Sequence, residues 1–562
     1  MTAMDITTNW VMPPNQITGL DHLGVQAPCI NIYAQLLPGI TNVTDRARYY
    51  SFYPWLLMAM ADDGYSYGEE FISDFRKADA LFTLICLRHQ EVCDDGHHHA
   101  DAAVGSIALT KALSVLNTKI TIKISDYSSR DAGEARYFMN KLGGLGQYYI
   151  GVLRGLHLMD GNSRDGVQTI KDIGGLLAKQ FAHNLPVDKF LSVVKADQVT
   201  LKDLDALSDF CLCQLTENTA EKKAMVKLFA GEGPFKGKDK FTDEDSLRRK
   251  QSLGYILQLA EATSEYELDF DIDTFRSLTY CHAFSEEHIL SFDKSLQTVV
   301  DGWASYQRNE LLSMALQGLF YACLRAYELS GLNFSNVQIL ADWFWKKGPG
   351  YSALKKVKGI TSFDALQKKL LKQMPVFAEW QEDNHEIQCM YQLRSLSRMA
   401  GVNKEQLEDM VLDALRILCA LAGRPENQAG YSEGLFFPLG YFDYYPVNLN
   451  SFLTHLGGDS GDWNDLPLQE CLTNVLSQWC LNAHLRVALR KLRQQSQSTF
   501  RFMPTDNGLS IVDIPKAAHT QPRFNQARTI LKDIGLLVED EDGYLILADN
   551  ALQLLNDDNE AA

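Results

Sequence analysis

Residues 71–91 read FISDFRKADALFTLICLRHQE, and the spacing of their apolar side chains decides the fold class. Phe71, Phe75, Ala78, Phe82 and Ile85 recur at alternating steps of four and three, which lines one face of a helix with apolar groups. The same period runs through residues 299–331, 404–422 and 468–495. Strand patterning is thin: TKITIKI at 118–124 alternates polar and β-branched residues and predicts one short strand. The expected class is mainly α.

A chain of 562 residues exceeds one ordinary core, and at about 150 residues per domain it predicts several domains. Gly, Pro and charge cluster at 231–245 (GEGPFKGKDKFTDED), 423–440 and 457–467 (GGDSGDWNDLP). These mark an N-terminal helical domain over 1–230 with a short β element, a central helical domain over 240–440, and C-terminal helices over 450–562. No fixed-period repeat stands out, which argues against a solenoid.

Composition narrows the function classes. Hydrophobic residues make up 46% and charged residues 22%, the balance of a globular chain. A net charge of -18 excludes a surface that is basic throughout, so any nucleic-acid contact has to be a patch. Residues 1–16, MTAMDITTNWVMPPNQ, lack a basic stretch leading into an apolar one, and no run of about 18 apolar residues follows. The expectation is a cytoplasmic protein without membrane partners. Eleven scattered cysteines, most within apolar helical patterns, predict free buried thiols. The lone Cys211-x-Cys213 pair reads as two helix residues, one packed inward, because no second pair completes a zinc motif.

The C-terminus has its own pattern. PRFNQARTILKDI at 522–534 reads as a helix, and GLLVEDEDGYLILA at 535–548 as two strands around an Asp-Gly turn. Together they predict a winged-helix-like module at about 505–556. Arg523 and Arg528 could reach phosphates, yet the wing turn Glu539-Asp540-Glu541-Asp542 would repel them, which favours a protein partner over DNA.

Catalytic signals are sparse. GEGPFKGK at 231–238 has the wrong spacing for a phosphate loop and no hydroxyl after Lys238, and LGGLG at 142–146 lacks a strand–turn–helix frame. No nucleotide cofactor is expected. Cys93 to Asp101 crowds His97, His98 and His99 among acids; His97 and His99 are the candidate metal pair, set against a solvated loop as the plainer reading. GDSG at 458–461 lacks the scaffold that serine chemistry needs. Arg276 and His282, in RSLTYCH, match the Arg–His spacing of helical ribonuclease toxins and are the only catalytic candidates.

Basic patches are clearer. Residues 343–373 carry eight lysines and no glutamate, with Trp343, Trp345 and Tyr351 interleaved. Lys346, Lys347, Lys355, Lys356 and Lys358 are candidate contacts to nucleic acid or to an acidic partner. On HLRVALRKLRQQ at 484–495, Arg486, Arg490 and Arg493 share a helix face and form a second candidate contact.

LPGITNVTDRARYYSFYPWL at 37–56 remains. A Pro38-Gly39 turn, a helix from about Asp45 and a stop at Pro54 are predicted, with residues 143–154 packed opposite. Arg46 and Arg48 either bridge buried acids or offer an arginine–tyrosine surface to a phosphate or partner. Pro38, Gly39, Arg46, Arg48, Tyr49, Tyr50, Pro54 and Trp55, with residues 75–106 and 135–158, resemble the N-terminal half of a bacterial protein group encoded among antiphage defence genes. In that group a Pro-Gly turn precedes an Arg-x-Arg-Tyr helix ending in Pro-Trp. The resemblance covers the N-terminal part and the winged-helix-like end. It implies an accessory subunit of a Druantia-like defence system, in which a very large helicase-like protein works with smaller subunits. The expectation is a non-catalytic, partner-binding and DNA-contacting component; the alternatives are a nuclease or toxin-type effector and a winged-helix transcriptional regulator.

Overall fold

The segment 37–56 becomes the hub of one half of the molecule. In the computed structural model, which describes residues 21–93, 99–131, 137–162, 164–217, 219–229, 244–380, 385–428, 445–458, 461–495, 498–549 and 551, a helix spans Tyr49–Asp62. Tyr49, Tyr50, Phe52, Tyr53 and Trp55 on it are all buried. Phe52 stacks on Phe82 at 4.0 Å between ring centroids, and tilted ring pairs join Tyr49 to Tyr149 at 5.0 Å and Trp55 to Phe181 at 5.2 Å. Each such pair adds roughly 0.5–1.5 kcal/mol beyond the area it buries. Tyr149 comes from the predicted opposing segment, here a π-helical turn over Leu145–Tyr149 leading into the Ile150–Gly155 helix.

Two expectations for this region are corrected. The helix starts at Tyr49 without a side-chain cap, and Pro54 lies inside it rather than ending it. A proline there forfeits one backbone bond and costs about 3 kcal/mol, which the aromatic face on both sides offsets. The predicted strand at 118–124 does not form; only Ile122 bridges Val199, because Lys119, Ile120 and Thr121 face solvent with no neighbouring strand. Strands among the described residues are confined to antiparallel hairpins: Met159–Asn162 with Gly166–Thr169, Ala283–Ser285 with His288–Ile289, Phe502–Thr505 with Gly508–Ile511, and Leu537–Glu539 with Leu545–Leu547. The protein is mainly α.

The chain divides into two units, each drawn from separate stretches of sequence. One comprises Ala34–Phe275, Phe292–Val300 and Gln521–Ala562; the other comprises Met1–Tyr33, Arg276–Ser291 and Asp301–Thr520. Residues 231–243 of the expected border at 231–245 and 429–440 of that at 423–440, the glycine loop at 231–238, and Asp459 and Ser460 of GDSG lie outside the described residues.

In the first unit, the Glu69–Val92 helix packs beside Tyr49–Asp62, as the period at 71–91 predicts. Asp79 on it is fully buried and accepts from Tyr53 Oη at 2.9 Å and the Gly144 amide at 2.8 Å. Burial pushes its carboxyl from 3.8 up to about 6, against the pull of those two donors. The folded chain therefore keeps this proton to higher pH than the unfolded chain does. Its contribution to stability is complete below about pH 4 and is lost as pH rises through about 6, a swing of about 3 kcal/mol. Asp79→Asn is expected to flatten the stability profile across that window, read by urea melts at intervals from pH 4 to pH 7.

The C-terminal helix, Phe524–Asp533, and its Leu537–Glu539/Leu545–Leu547 hairpin belong to this unit. Phe524, Ala527, Ile530 and Leu531 are buried, with Phe524 stacked on Phe275 at 4.3 Å.

In the second unit, residues 301–330 of the Gln297–Ser330 helix run through the core. Trp303, Tyr306, Leu311, Met314 and Phe320 are buried around its circumference, so it lacks a polar stripe. The Lys404–Gly423 helix packs against Pro349–Lys356, Phe363–Leu371 and Glu386–Arg398. All eleven cysteines are free, most of them buried. No helix among the described residues is long and apolar enough to cross a membrane.

Candidate functional site

The first unit brings together four side chains from separate stretches of sequence. His89 lies in the last turn of the Glu69–Val92 helix. The Gln90 side chain accepts from the Ala100 amide at 3.2 Å and holds the returning chain, with His99, against that helix end. Cys211 and Cys213 come from the tight turns Ser208–Phe210 and Leu212–Leu215. One ligand atom from each of His89, His99, Cys211 and Cys213 lies within 4.8 Å of all the others. Cys213 Sγ is 3.5 Å from His89 Nδ1, and Cys211 Sγ is 3.8 Å from His99 Nδ1. His99 and Cys211 are buried, His89 and Cys213 half-buried.

The surroundings hold the sulfurs in place. Arg48 Nη1 donates to the backbone carbonyls of Asp209, at 2.9 Å, and Cys211. Gln214 Nε2 approaches Cys213 Sγ at 3.6 Å. The hydrogen bond with Cys211, and then burial, push the Cys213 thiol well up. Two thiols this close resist ionising together unless a cation neutralises them, and a bound metal inverts that preference.

No family model, curated protein or solved structure matches the chain. Its sites therefore rest on their own geometry.

Of the predicted metal pair, His99 joins the cluster, while His97 lies outside the described residues. The Cys211-x-Cys213 pair is brought together with two histidines rather than lying on one helix. His89 was hidden in sequence, as one of four consecutive polar residues, Arg88 to Glu91, at the end of an amphipathic helix.

Arg46 and Arg48 both bridge buried acids. Arg48 meets Glu221 at 3.2 Å with side chains 1% and 0% exposed, and Glu221 also accepts from Ser51 Oγ at 2.5 Å. Arg46 meets Asp533 at 2.9 Å, with Asp533 also accepting from the Ala47 amide, and donates to the Asp101 carbonyl. Buried on both sides, these guanidinium groups do not form the exposed arginine–tyrosine surface considered from sequence. Arg523 and Arg528 likewise donate to backbone carbonyls of their own unit, those of Leu37 at 3.0 Å and Phe270 at 2.8 Å.

The catalytic candidates are enclosed in the second unit. Arg276, 1% exposed, donates to the Thr520 carbonyl at 2.7 Å and lies 3.1 Å from His519 Nδ1. Burial, with Arg308 adding to it, pushes the His282 imidazole down to about 3, so it is uncharged at neutral pH and cannot act there as an imidazolium acid.

The lysine segment does reach solvent. Lys346, Lys347, Lys355, Lys356 and Lys358 are all exposed. Lys346 pairs with Asp342, and Lys356 with Glu408 and Asp409. Among the described residues Lys347, Lys355 and Lys358 have no acidic partner; Lys355 lies over the Tyr351 ring at 4.4 Å. Of the interleaved aromatics, Trp345 is fully buried, whereas Trp343 and Tyr351 are half-buried, Trp343 packing on Phe334 at 5.0 Å. Arg486 and Arg493 are exposed, and Arg490 lies over Tyr445 at 5.0 Å.

Proposed function

We propose that this chain is a non-catalytic, partner-binding component of a multi-gene bacterial antiviral defence system, acting in the cytoplasm. The observation that carries the partner-binding part is the exposed lysine face of the Val337–Lys346 and Pro349–Lys356 helices, on a chain of net charge -18. The defence context rests on the sequence resemblance at 37–56 and its companion segments.

A protein surface of mixed, predominantly acidic charge fits this face better than nucleic acid does. Asp342, Glu408 and Asp409 stand among the lysines and would repel a phosphate backbone, while a protein surface of mixed charge accommodates both signs. The enclosed positions of Arg276 and His282 support a binding role over a nuclease. The winged-helix-like end serves the same role as an internal tie, since Arg523 and Arg528 are already engaged and the wing turn is acidic.

Lys347→Glu/Lys355→Glu/Lys358→Glu tests the reading in cells carrying the complete gene set. Plating efficiency of a restricted phage is expected to rise at least about 10-fold, because like charge opposed across an interface costs several kcal/mol. Unchanged protection, with the variant at normal abundance, contradicts it.

A further inference from the structure

We propose that His89, His99, Cys211 and Cys213 bind one Zn2+ in a closed tetrahedral shell, a structural metal centre of the first unit. The spacing carries this. Zn–S bonds of about 2.3 Å and Zn–N bonds of about 2.0–2.1 Å, at tetrahedral angles, place sulfur and nitrogen about 3.5 Å apart. The two sulfur–nitrogen pairs here stand at 3.5 and 3.8 Å. All four donor atoms lie within 4.8 Å of one another, so small side-chain adjustments bring every one of them onto a single ion.

Donor chemistry selects the metal. Two thiolates and two imidazoles in a tetrahedron suit zinc, whereas magnesium and calcium take oxygen shells. Four protein ligands leave no position for water or substrate, which makes the centre structural rather than catalytic. Its role follows from what the ligands join: a helix end, the strand of chain returning from it, and the 211–213 turn more than a hundred residues onward. The carbonyl of Cys211 is also held by Arg48, so the metal and the buried Arg48–Glu221 pair brace the same turn.

The test uses the full chain purified without chelators and without added metal. Elemental analysis is expected to find about one zinc per chain, falling below about a tenth in Cys211→Ser/Cys213→Ser. His89→Cys, which keeps four zinc donors, is expected to retain the metal, whereas His89→Ala loses it. If the double serine variant fails to fold, protein produced in cobalt-supplemented medium keeps the question open to measurement. Visible bands of tetrahedral Co2+ with sulfur-to-cobalt charge transfer support the proposal. Wild-type chain with neither zinc nor those bands overturns it, as does zinc retained in the double serine variant or a disulfide between Cys211 and Cys213 in the native protein.

Discussion

Arg48→Met is expected to destabilise the first unit by about 3–5 kcal/mol, the largest effect of any single substitution considered. The side chain is 1% exposed and Glu221 is 0% exposed, so removing the guanidinium strands a carboxylate in the core. Two backbone carbonyls, of Asp209 and Cys211, lose their donor in the same step. Methionine keeps most of the volume, and so the loss reports charge and hydrogen bonding rather than a cavity. Arg48→Met/Glu221→Gln removes both charges and is expected to recover much of the loss. Chemical denaturation followed by tryptophan fluorescence checks this, Trp55 lying in the same aromatic core. A double variant no better than the single one would mean that the carbonyl contacts, not the charge pair, dominate.

Glu386→Gln is expected to cost the second unit about 3 kcal/mol. Glu386 is fully buried, takes the Arg424 guanidinium through Nε and Nη2, accepts from Tyr280 Oη at 3.0 Å and lies 3.4 Å from His385 Nε2. Burial keeps that histidine low, so it adds no compensating charge. The amide leaves the mostly buried Arg424 without an anion, although the Pro375 carbonyl still accepts from it at 2.7 Å. Arg424→Met alone should be about as damaging, and the paired substitution milder than either, in a double-mutant cycle read by thermal melts.

Much of the helical architecture was legible because burial imposes a period on sequence. The segment 71–91 becomes Glu69–Val92, 404–422 becomes Lys404–Gly423, and 299–331 becomes Gln297–Ser330. The segment 468–495 forms as well, but a π-helical stretch over Val475–Leu481 divides it, a detail that apolar spacing does not encode. Pro54 misled because local rules rank a proline as a stop, whereas the rings of Phe52, Tyr53 and Trp55 hold the helix through it. The Arg48–Glu221 pair and the convergence of the two histidines on the two cysteines were not legible for a different reason. Their members are far apart in sequence, and neither a buried salt bridge nor a metal shell assembled from distant turns leaves a fixed spacing to read. Of the histidines at 97–99, His99 belongs to the cluster, and its partners come from 89, 211 and 213.

The lysine face bears most directly on what the chain does. The decisive measurement is affinity capture of the tagged full chain from cells expressing its neighbouring genes, comparing wild type with Lys347→Glu/Lys355→Glu/Lys358→Glu. The account predicts that a neighbour-encoded subunit is recovered in stoichiometric amount with wild type and falls at least about 10-fold with the triple variant, at unchanged melting temperature. Recovery of the chain alone, or equal recovery of the partner by both forms, would contradict it.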